Sequence, residues 1–208
     1  MGAENGSGMP LRNLLIITLA AMGLWQGFHD WQLRPVHPPD GPIAPDDPQQ
    51  TDAGQAPVTV LGRWRLTPRA HYDITARILG REDYHFDLLA DLIPEDLALG
   101  WGPMSDNRVL RVFEITQGAR FYSWMSREPL PIPRQAVIEH SANTHVIPAD
   151  TLVARQLKRL RVGQVVHLRG YLVNGVRDDG AYINTSLTRS DSGPGSCEVV
   201  LVEQVEAW

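Results

Sequence analysis

Apolar and polar residues follow different patterns in three successive parts of the chain. The first part is an almost continuous apolar run over residues 14–28, which reads LLIITLAAMGLWQGF. As a helix rising about 1.5 Å per residue, this run spans about 22 Å, less than the roughly 30 Å hydrocarbon core of a bilayer. Its length therefore permits a signal-peptide core, a short membrane span or the buried helix of a soluble protein.

The surroundings of the apolar run favour an uncleaved signal anchor over residues 14–31. Amphipathic rings that prefer the headgroup layer crowd one end of it: Trp25, Phe28 and Trp31. Thr18 and Ala20 have the spacing of a cleavage site but lie inside the run, which is too early. Because Arg12 precedes the run, we expect residues 1–13 in the cytoplasm, one span of a bacterial inner membrane, and a periplasmic C-terminal domain.

Proline dominates the next part of the chain, residues 32–57. The prolines are Pro35, Pro38, Pro39, Pro42, Pro45, Pro48 and Pro57. Proline fixes φ and has no N–H group to donate, so we predict an extended spacer that lifts the following domain off the membrane. The alternative is a ligand for a proline-recognition domain.

Residues 58–208 show the mixed patterns of one domain. Residues 71–79 alternate apolar and polar side chains, which predicts a half-buried strand. Residues 94–99 begin with a proline, carry acids near their start and precede Gly100, which predicts a short helix. Asp150 is predicted to cap a helix over residues 151–162. Further strands are predicted at residues 113–117, 120–124, 164–173, 181–188 and 197–205. We therefore predict an α+β fold with a small, partly open antiparallel β-barrel, OB-like as one option, and a few short helices.

Charge and cysteine content exclude some classes of function. The domain carries almost equal numbers of acidic and basic residues without a basic block, so we expect no nucleic-acid partner. A single cysteine, Cys197, excludes an internal disulfide. It is interpreted as a small buried strand residue, with thiol chemistry as the alternative. Motifs of the types GxSxG, Walker loop, HExxH and CxxC are absent, and the sequence indicates no particular cofactor.

The segment HSANTH contains the catalytic and metal-ligand candidates, His140 and His145. Residues five apart share neither a helix face nor a strand face, so the two rings can converge only on a loop, which nearby prolines favour. Converged histidines could bind a metal or share a proton, and zinc would need a further ligand such as Asp106, Glu139 or Cys197. The alternative is a structural loop whose side chains satisfy buried backbone groups.

Two other polar segments contain candidates for ligand binding. GWGPMSD, residues 100–106, is either the wall of a cleft or a loop pinned to the core by its tryptophan. The loop over residues 185–198 is either a binding loop or a solvated turn in which an Arg–Asp pair contributes little. Including the HSANTH segment, the ligand-binding candidates are Trp101, Ser105, Asp106, Ser141, Asn143, Arg189 and Asp191.

HSANTHVIPA, GWGPMSD and SLTRSDSGPGSCE together resemble motifs of a group of uncharacterised bacterial proteins that are membrane-anchored or exported. The resemblance extends over residues 70–205 and implies that the motifs belong to one domain, but it implies no activity. We expect a membrane-anchored extracytoplasmic domain that binds an unidentified protein or small molecule, with the membrane as partner of its N-terminal helix. The alternative is an exported hydrolase or lyase that uses His140 and His145, with or without a metal ion.

Overall fold

A computed structural model describes residues 11–32, 34–188, 193 and 195–208, and the chain divides into two compact units, Met1–Arg34 and Pro35–Trp208. The first unit contains helix α1, Leu11–Gln32. Its Leu11–Phe28 portion is long and apolar enough to cross a membrane, and its side chains are exposed. The helix is consistent with a single-pass membrane anchor, although signal sequences share these properties.

The second unit is rich in strands. Within the described residues its elements are β1 Gln49–Asp52, β2 Thr59–Leu61, β3 Trp64–Asp83, β4 Glu95–Gly100, a 3₁₀ helix Gly102–Ser105, α2 Asn107–Leu110, β5 Phe113–Gly118, β6 Phe121–Ser126, α3 Arg134–Glu139, β7 Ser141–Pro148, α4 Thr151–Leu157, β8 Val165–Arg177, β9 Tyr182–Ile183 and β10 Glu198–Ala207. The α+β prediction is therefore confirmed. The predicted strand over residues 181–188 is limited to β9.

Five of the described strands form a closed hydrogen-bonded ring in the order β3-β4-β7-β10-β8, because β8 pairs again with β3. This closure matches the predicted small barrel, and a five-stranded ring is also the basis of an OB-like arrangement. The parallel pairing of β7 with β10 differs from the wholly antiparallel sheet that we expected. The physical reason is the connection, since the chain crosses over through α4 and β8 before it returns as β10.

The interior of the ring is filled by alternate residues of its strands. On β3, the predicted period of two is confirmed, because Tyr72, Ile74, Ala76 and Ile78 are all buried. They pack in one cluster with side chains from the other ring strands and from α4: Leu97, Leu99, Val146, Val153, Leu157, Leu168 and Val200. Asp150 caps α4 as predicted, and its carboxylate accepts hydrogen bonds from the N–H groups of Leu152 and Val153 at 2.7 and 2.8 Å.

The short helix predicted over residues 94–99 is wrong, because this segment is strand β4. All six residues of Glu95–Gly100 are buried, and β4 pairs with β3 on one side and with β7 on the other. The two neighbouring strands bond the N–H and C=O groups of β4, and both faces of β4 are buried. These tertiary contacts outweigh the helix-like local signals of Pro94 and the acids. The loop predicted over the HSANTH segment is wrong for the same reason, since β7 pairs with β4 and β10.

The proline-rich segment belongs to the second unit and packs along it. Val36 N–H donates to the carbonyl of Val162 at 2.7 Å, and the carbonyl of the buried Ala44 accepts from Gly102 N–H at 2.7 Å. β1 pairs with β3. Because prolines keep their carbonyl acceptors, a proline-rich chain can still be held by donors from its neighbours. The expected spacer is thus part of the folded domain over residues 35–57.

Candidate active site

A buried carboxylate and an imidazole face each other across two neighbouring strands. The register of β4 and β7 sets Asp96 opposite His145, and Nδ1 of His145 lies 2.8 Å from Oδ1 of Asp96. Asp96 has no exposed surface and His145 is 6 % exposed. Paired residues of adjacent strands point to the same face of a sheet, so the register by itself brings the two side chains together.

The parallel pairing of β7 with β10 adds a thiol to this pair. Cys197 immediately precedes β10 and lies close enough to His145 to influence the charge of the imidazole. Because Nδ1 of His145 is directed at Asp96, Nε2 is the nitrogen left for the sulfur. The carboxylate, the imidazole and the thiol are thus neighbours, and Cys197 is partly exposed.

The charge on His145 follows from its two partners. Burial lowers the pKa of the imidazole, but the interactions of the ring with Asp96 and Cys197 outweigh burial and raise the pKa to about 9. His145 is therefore an imidazolium at neutral pH. An imidazolium next to a cysteine sulfur is an environment in which cysteine side chains act as nucleophiles.

Two further donors compensate the buried charge of Asp96. Nη1 of Arg120 lies 3.2 Å from Oδ1, and Nδ2 of Asn143 donates to Oδ2 at 3.4 Å. A buried carboxylate is costly unless its oxygens are paired and hydrogen-bonded. With His145, these contacts fix Asp96 in place and leave it able to orient the imidazole.

Arg120 reaches the site from a strained turn between β5 and β6. Both central residues of the turn have positive φ, 49° at Ala119 and 68° at Arg120, although neither is glycine. The carbonyl of Arg120 accepts from Asn143 Nδ2 at 3.1 Å and lies 4.0 Å from the sulfur of Cys197. Its guanidinium also pairs with Asp87 at 2.8 Å. Strain of this kind persists where the surroundings hold the residue firmly, and it is frequent at functional sites.

Asn143 supplies a hydrogen-bond donor beside the sulfur. Its Nδ2 lies 3.8 Å from Sγ of Cys197, while its Oδ1 accepts from Nε2 of Gln117 at 3.0 Å. The bond from Gln117 fixes the orientation of the amide, so that the NH₂ group faces Cys197, Asp96 and the carbonyl of Arg120. Asn143 therefore joins the surroundings of the sulfur into one hydrogen-bonded network.

Cys197 and Asn143 line a solvent-open cleft of about 350 Å³. Four aromatic residues form part of the remaining wall: Trp101, Phe121, Tyr122 and Trp124. Polar side chains form another part: Ser123, Ser141, Thr188, Ser196 and Glu198. The cleft therefore combines aromatic surface with a thiol and a few polar groups, as small-molecule sites commonly do.

The cleft unites some of the predicted ligand-binding residues and leaves others outside. Trp101, Ser141 and Asn143 line it. Ser105 does not, because it is fully buried and its hydroxyl donates to the carbonyl of Gly102 at 2.7 Å. Asp106 caps α2 and pairs with Arg108 at 2.7 Å, and these contacts hold the pKa of its carboxyl well below the usual range. Arg189 and Asp191 lie outside the residues that the structure describes.

The two histidines of the HSANTH segment make separate contacts. Nδ1 of His140 lies 2.8 Å from the carbonyl of Ala136, at the end of α3, and its Nε2 lies 4.0 Å from Asp47. His145 instead contacts Asp96 and Cys197. Across the described parts of the chain, no group of three or more His, Cys, Asp or Glu side chains is arranged to hold a metal ion. The geometry thus gives no support to a metal site built on these histidines.

Sequence reasoning missed two members of the site, Asp96 and Arg120. Asp96 was assigned to a helix N-terminus, and Arg120 to an ordinary strand. A lone cysteine together with histidine and aspartate elsewhere in a chain is a signal for a thiol nucleophile, but it does not say which of several candidates meet. Comparisons of the chain with protein-family models, with curated proteins and with solved structures found no match.

Proposed function

We propose that this chain is a membrane-anchored, extracytoplasmic thiol hydrolase or acyltransferase with Cys197 as its nucleophile. The observation that carries the proposal is the bonded pair of Asp96 and His145 beside Cys197, whose thiol lines an open cleft. A nucleophile hydrogen-bonded to a base, with the base oriented by a third group, is the general signature of covalent catalysis. The proposal retains the hydrolase alternative of the sequence analysis, with Cys197 in place of His140.

The chemistry would proceed in two steps. The Cys197 thiolate attacks the carbonyl carbon of an ester, thioester or amide, and the leaving group departs with the proton of the His145 imidazolium. The resulting thioester is then attacked by water or another acceptor, whose proton passes to His145 as the new bond forms. Collapse releases the acyl product and regenerates the thiolate beside the imidazolium.

The remaining side chains have supporting roles in this scheme. Asp96 keeps the imidazole in one orientation and stabilises its protonated form. Asn143 donates to Asp96 and to the carbonyl of Arg120 and holds both next to Cys197. Arg120 acts through Asp96 and Asn143 and is a positioning residue.

A second candidate function is ligand binding without catalysis, as the sequence analysis preferred. One observation favours it, because the aromatic walls of the cleft would bind an apolar ligand without any need for a nucleophile. In that case the contacts of Asp96 and His145 serve to join β4 to β7. Reactivity of the thiol separates the two functions.

The test compares rates of alkylation by iodoacetamide at neutral pH in the full-length protein. An ordinary thiol is only a few per cent thiolate at pH 7, so we expect His145→Ala and Asp96→Asn to slow alkylation of Cys197 by about tenfold or more. His140→Ala is the matched control and should keep the wild-type rate, since His140 contacts neither partner. Circular dichroism verifies that each variant is folded, and Cys197→Ser identifies the modified residue by mass.

A second measurement follows acylation of the protein by p-nitrophenyl acetate. We expect a burst of p-nitrophenolate and a thioester on Cys197, both lost in Cys197→Ser. If His145→Ala and His140→Ala react with iodoacetamide equally fast, and no ester acylates the wild type, the catalytic proposal is overturned and binding alone remains.

A further inference from the structure

We infer that the cleft beside Cys197 is an acyl-binding site for an apolar acyl group of medium length, selected by the β5–β6 hairpin. This inference rests on the proposed function and specifies its substrate class. The observation behind it is that four aromatic residues line the cleft, and that the polar atoms of Tyr122 and Trp101 are bonded within the protein.

Two of the aromatic residues that line the cleft, Tyr122 and Trp101, have their polar atoms bonded to the protein itself. The hydroxyl of Tyr122 donates to Oγ of Ser141 at 3.2 Å, and Ser141 donates onward to the carbonyl of Val137 at 2.6 Å. Nε1 of Trp101 donates to Asp47 at 3.1 Å. What these residues offer to a ligand is therefore ring carbon, which binds apolar groups by burial and gains little from a polar one.

Charge near the cleft disfavours an anionic acyl group. Among the lining residues that the structure describes, Glu198 is the one charged side chain. The nearby guanidinium of Arg120 is engaged by Asp87 and Asp96, at 2.8 and 3.2 Å. A carboxylate on the acyl chain would lose its hydration without gaining a cationic partner from these residues, and that loss is costly.

The size of the cleft sets the length of the acyl group. A volume of about 350 Å³ holds roughly a dozen groups of the size of a water molecule, at about 30 Å³ each. An acyl chain of six to ten carbons fits this space with the carbonyl at the sulfur, whereas an acetyl group leaves most of the wall uncovered. Each methylene that the wall buries should raise kcat/KM by up to about fourfold.

Phe121 is the residue best placed to contact the acyl group, since it contributes little to the packed core. It lines the cleft at the start of β6 and is 46 % exposed. Met125 lies on the same strand with a similar exposure of 57 % and is not among the cleft-lining residues. Phe121→Ala and Met125→Ala therefore form a matched pair, in which one variant removes part of the wall and the other does not.

The experiment measures kcat/KM of the full-length protein with three p-nitrophenyl esters: acetyl, hexanoyl and monoadipoyl. The last two have acyl chains of equal carbon number and differ in charge. We expect the hexanoyl ester to exceed each of the other two by about tenfold or more. Phe121→Ala should lower the ratio of the hexanoyl to the acetyl value several-fold, and Met125→Ala should keep the wild-type ratio.

Each remaining outcome overturns the inference. Equal or faster reaction of the acetyl or the monoadipoyl ester means that the cleft does not select an apolar acyl group. Equal effects of Phe121→Ala and Met125→Ala on the hexanoyl-to-acetyl ratio mean that the hairpin does not form its wall. Acetylation of Cys197 that depends on His145, without a preference for hexanoyl, leaves the proposed function standing and removes only the acyl site. Failure of all three esters to acylate Cys197 removes both.

Discussion

At the scale of single residues, two consecutive carboxyl groups of β4 point to opposite faces of the strand and have different partners. Asp96 points to the face that carries His145 and Arg120, and each of these supplies a donor to it. Glu95, the preceding residue, is 3 % exposed, and its carboxyl group lies 3.1 Å from Nη2 of Arg81. Alternate residues of a strand point to opposite faces, so β4 holds two buried carboxyl groups that do not share a site.

Glu95 predicts a loss of stability as the pH rises. Burial raises its pKa from 4.5 to about 8, despite the nearby Arg81. Between these values the folded protein binds a proton that the unfolded chain has released, so the free energy of unfolding falls as pH rises from 4.5 to about 8. Glu95→Gln should flatten the dependence of the melting temperature on pH across this window.

The control for this prediction is Glu139→Gln, at an exposed position of α3, which should keep the wild-type pH curve. His145 adds a second slope in the same direction. Its pKa is raised from 6.5 to about 9, so stability from its protonated form is complete below 6.5 and is lost towards pH 9. A melting temperature that rises between pH 5 and 8 in the wild type would contradict both assignments.

At the scale of elements, strand register assembles the site, and the β5–β6 turn completes it. β4 and β10 bring Asp96 and Cys197 to the two sides of β7, which carries His145 and Asn143. The turn then places Arg120 over them in a left-handed conformation. Residues on rigid, paired strands are held more precisely than residues on loops, which suits a site that needs several atoms in line.

The contact of the proline-rich segment with the domain gives a prediction at two glycines. Gly163 and Gly180 have nearly equal positive φ, 93° and 90°. A Cβ at Gly163 would clash with the carbonyl of Val36, whereas a Cβ at Gly180 meets nothing within 4 Å. Both alanine variants incur the left-handed strain of about 1–2 kcal/mol. Gly163→Ala must also displace the proline-rich segment, so we expect it to melt several degrees lower than Gly180→Ala.

Thermal unfolding followed by circular dichroism measures this difference. Equal melting temperatures for the two variants would mean that residues 35–57 are not held against the domain at Val36. The comparison tests the contact of the proline-rich segment and not the cleft beside Cys197, because neither glycine lines that cleft.

At the scale of the whole molecule, one apolar helix precedes one folded unit. Because Leu11–Phe28 is long and apolar enough to span a bilayer, we expect the full-length protein to fractionate with membranes and to resist carbonate extraction. A truncated protein, Pro35–Trp208, should be soluble without detergent, since it retains the whole second unit. A mature protein in the soluble fraction that begins near residue 21 or later would instead identify a cleaved signal peptide.

Local sequence patterns determined those features whose causes lie within a few residues. The apolar run of α1, the alternation along β3 and the cap at Asp150 were predicted because burial periodicity and capping are set by close neighbours in the chain. The class of the fold follows from the same patterns. The candidates at Trp101, Ser141 and Asn143 were also identified, although as separate clusters.

Only the tertiary structure decided which of these residues meet. Residues 94–99 have a helix-like sequence and form a strand, because two partner strands satisfy their backbone and bury both faces. Asp96, Arg120, His145 and Cys197 are far apart in sequence, and pairing of β4, β7 and β10 together with one strained turn unites them. A pattern within the chain reports how each segment is buried, but the contacts that make a site depend on register between segments, and register is set by packing of the whole domain.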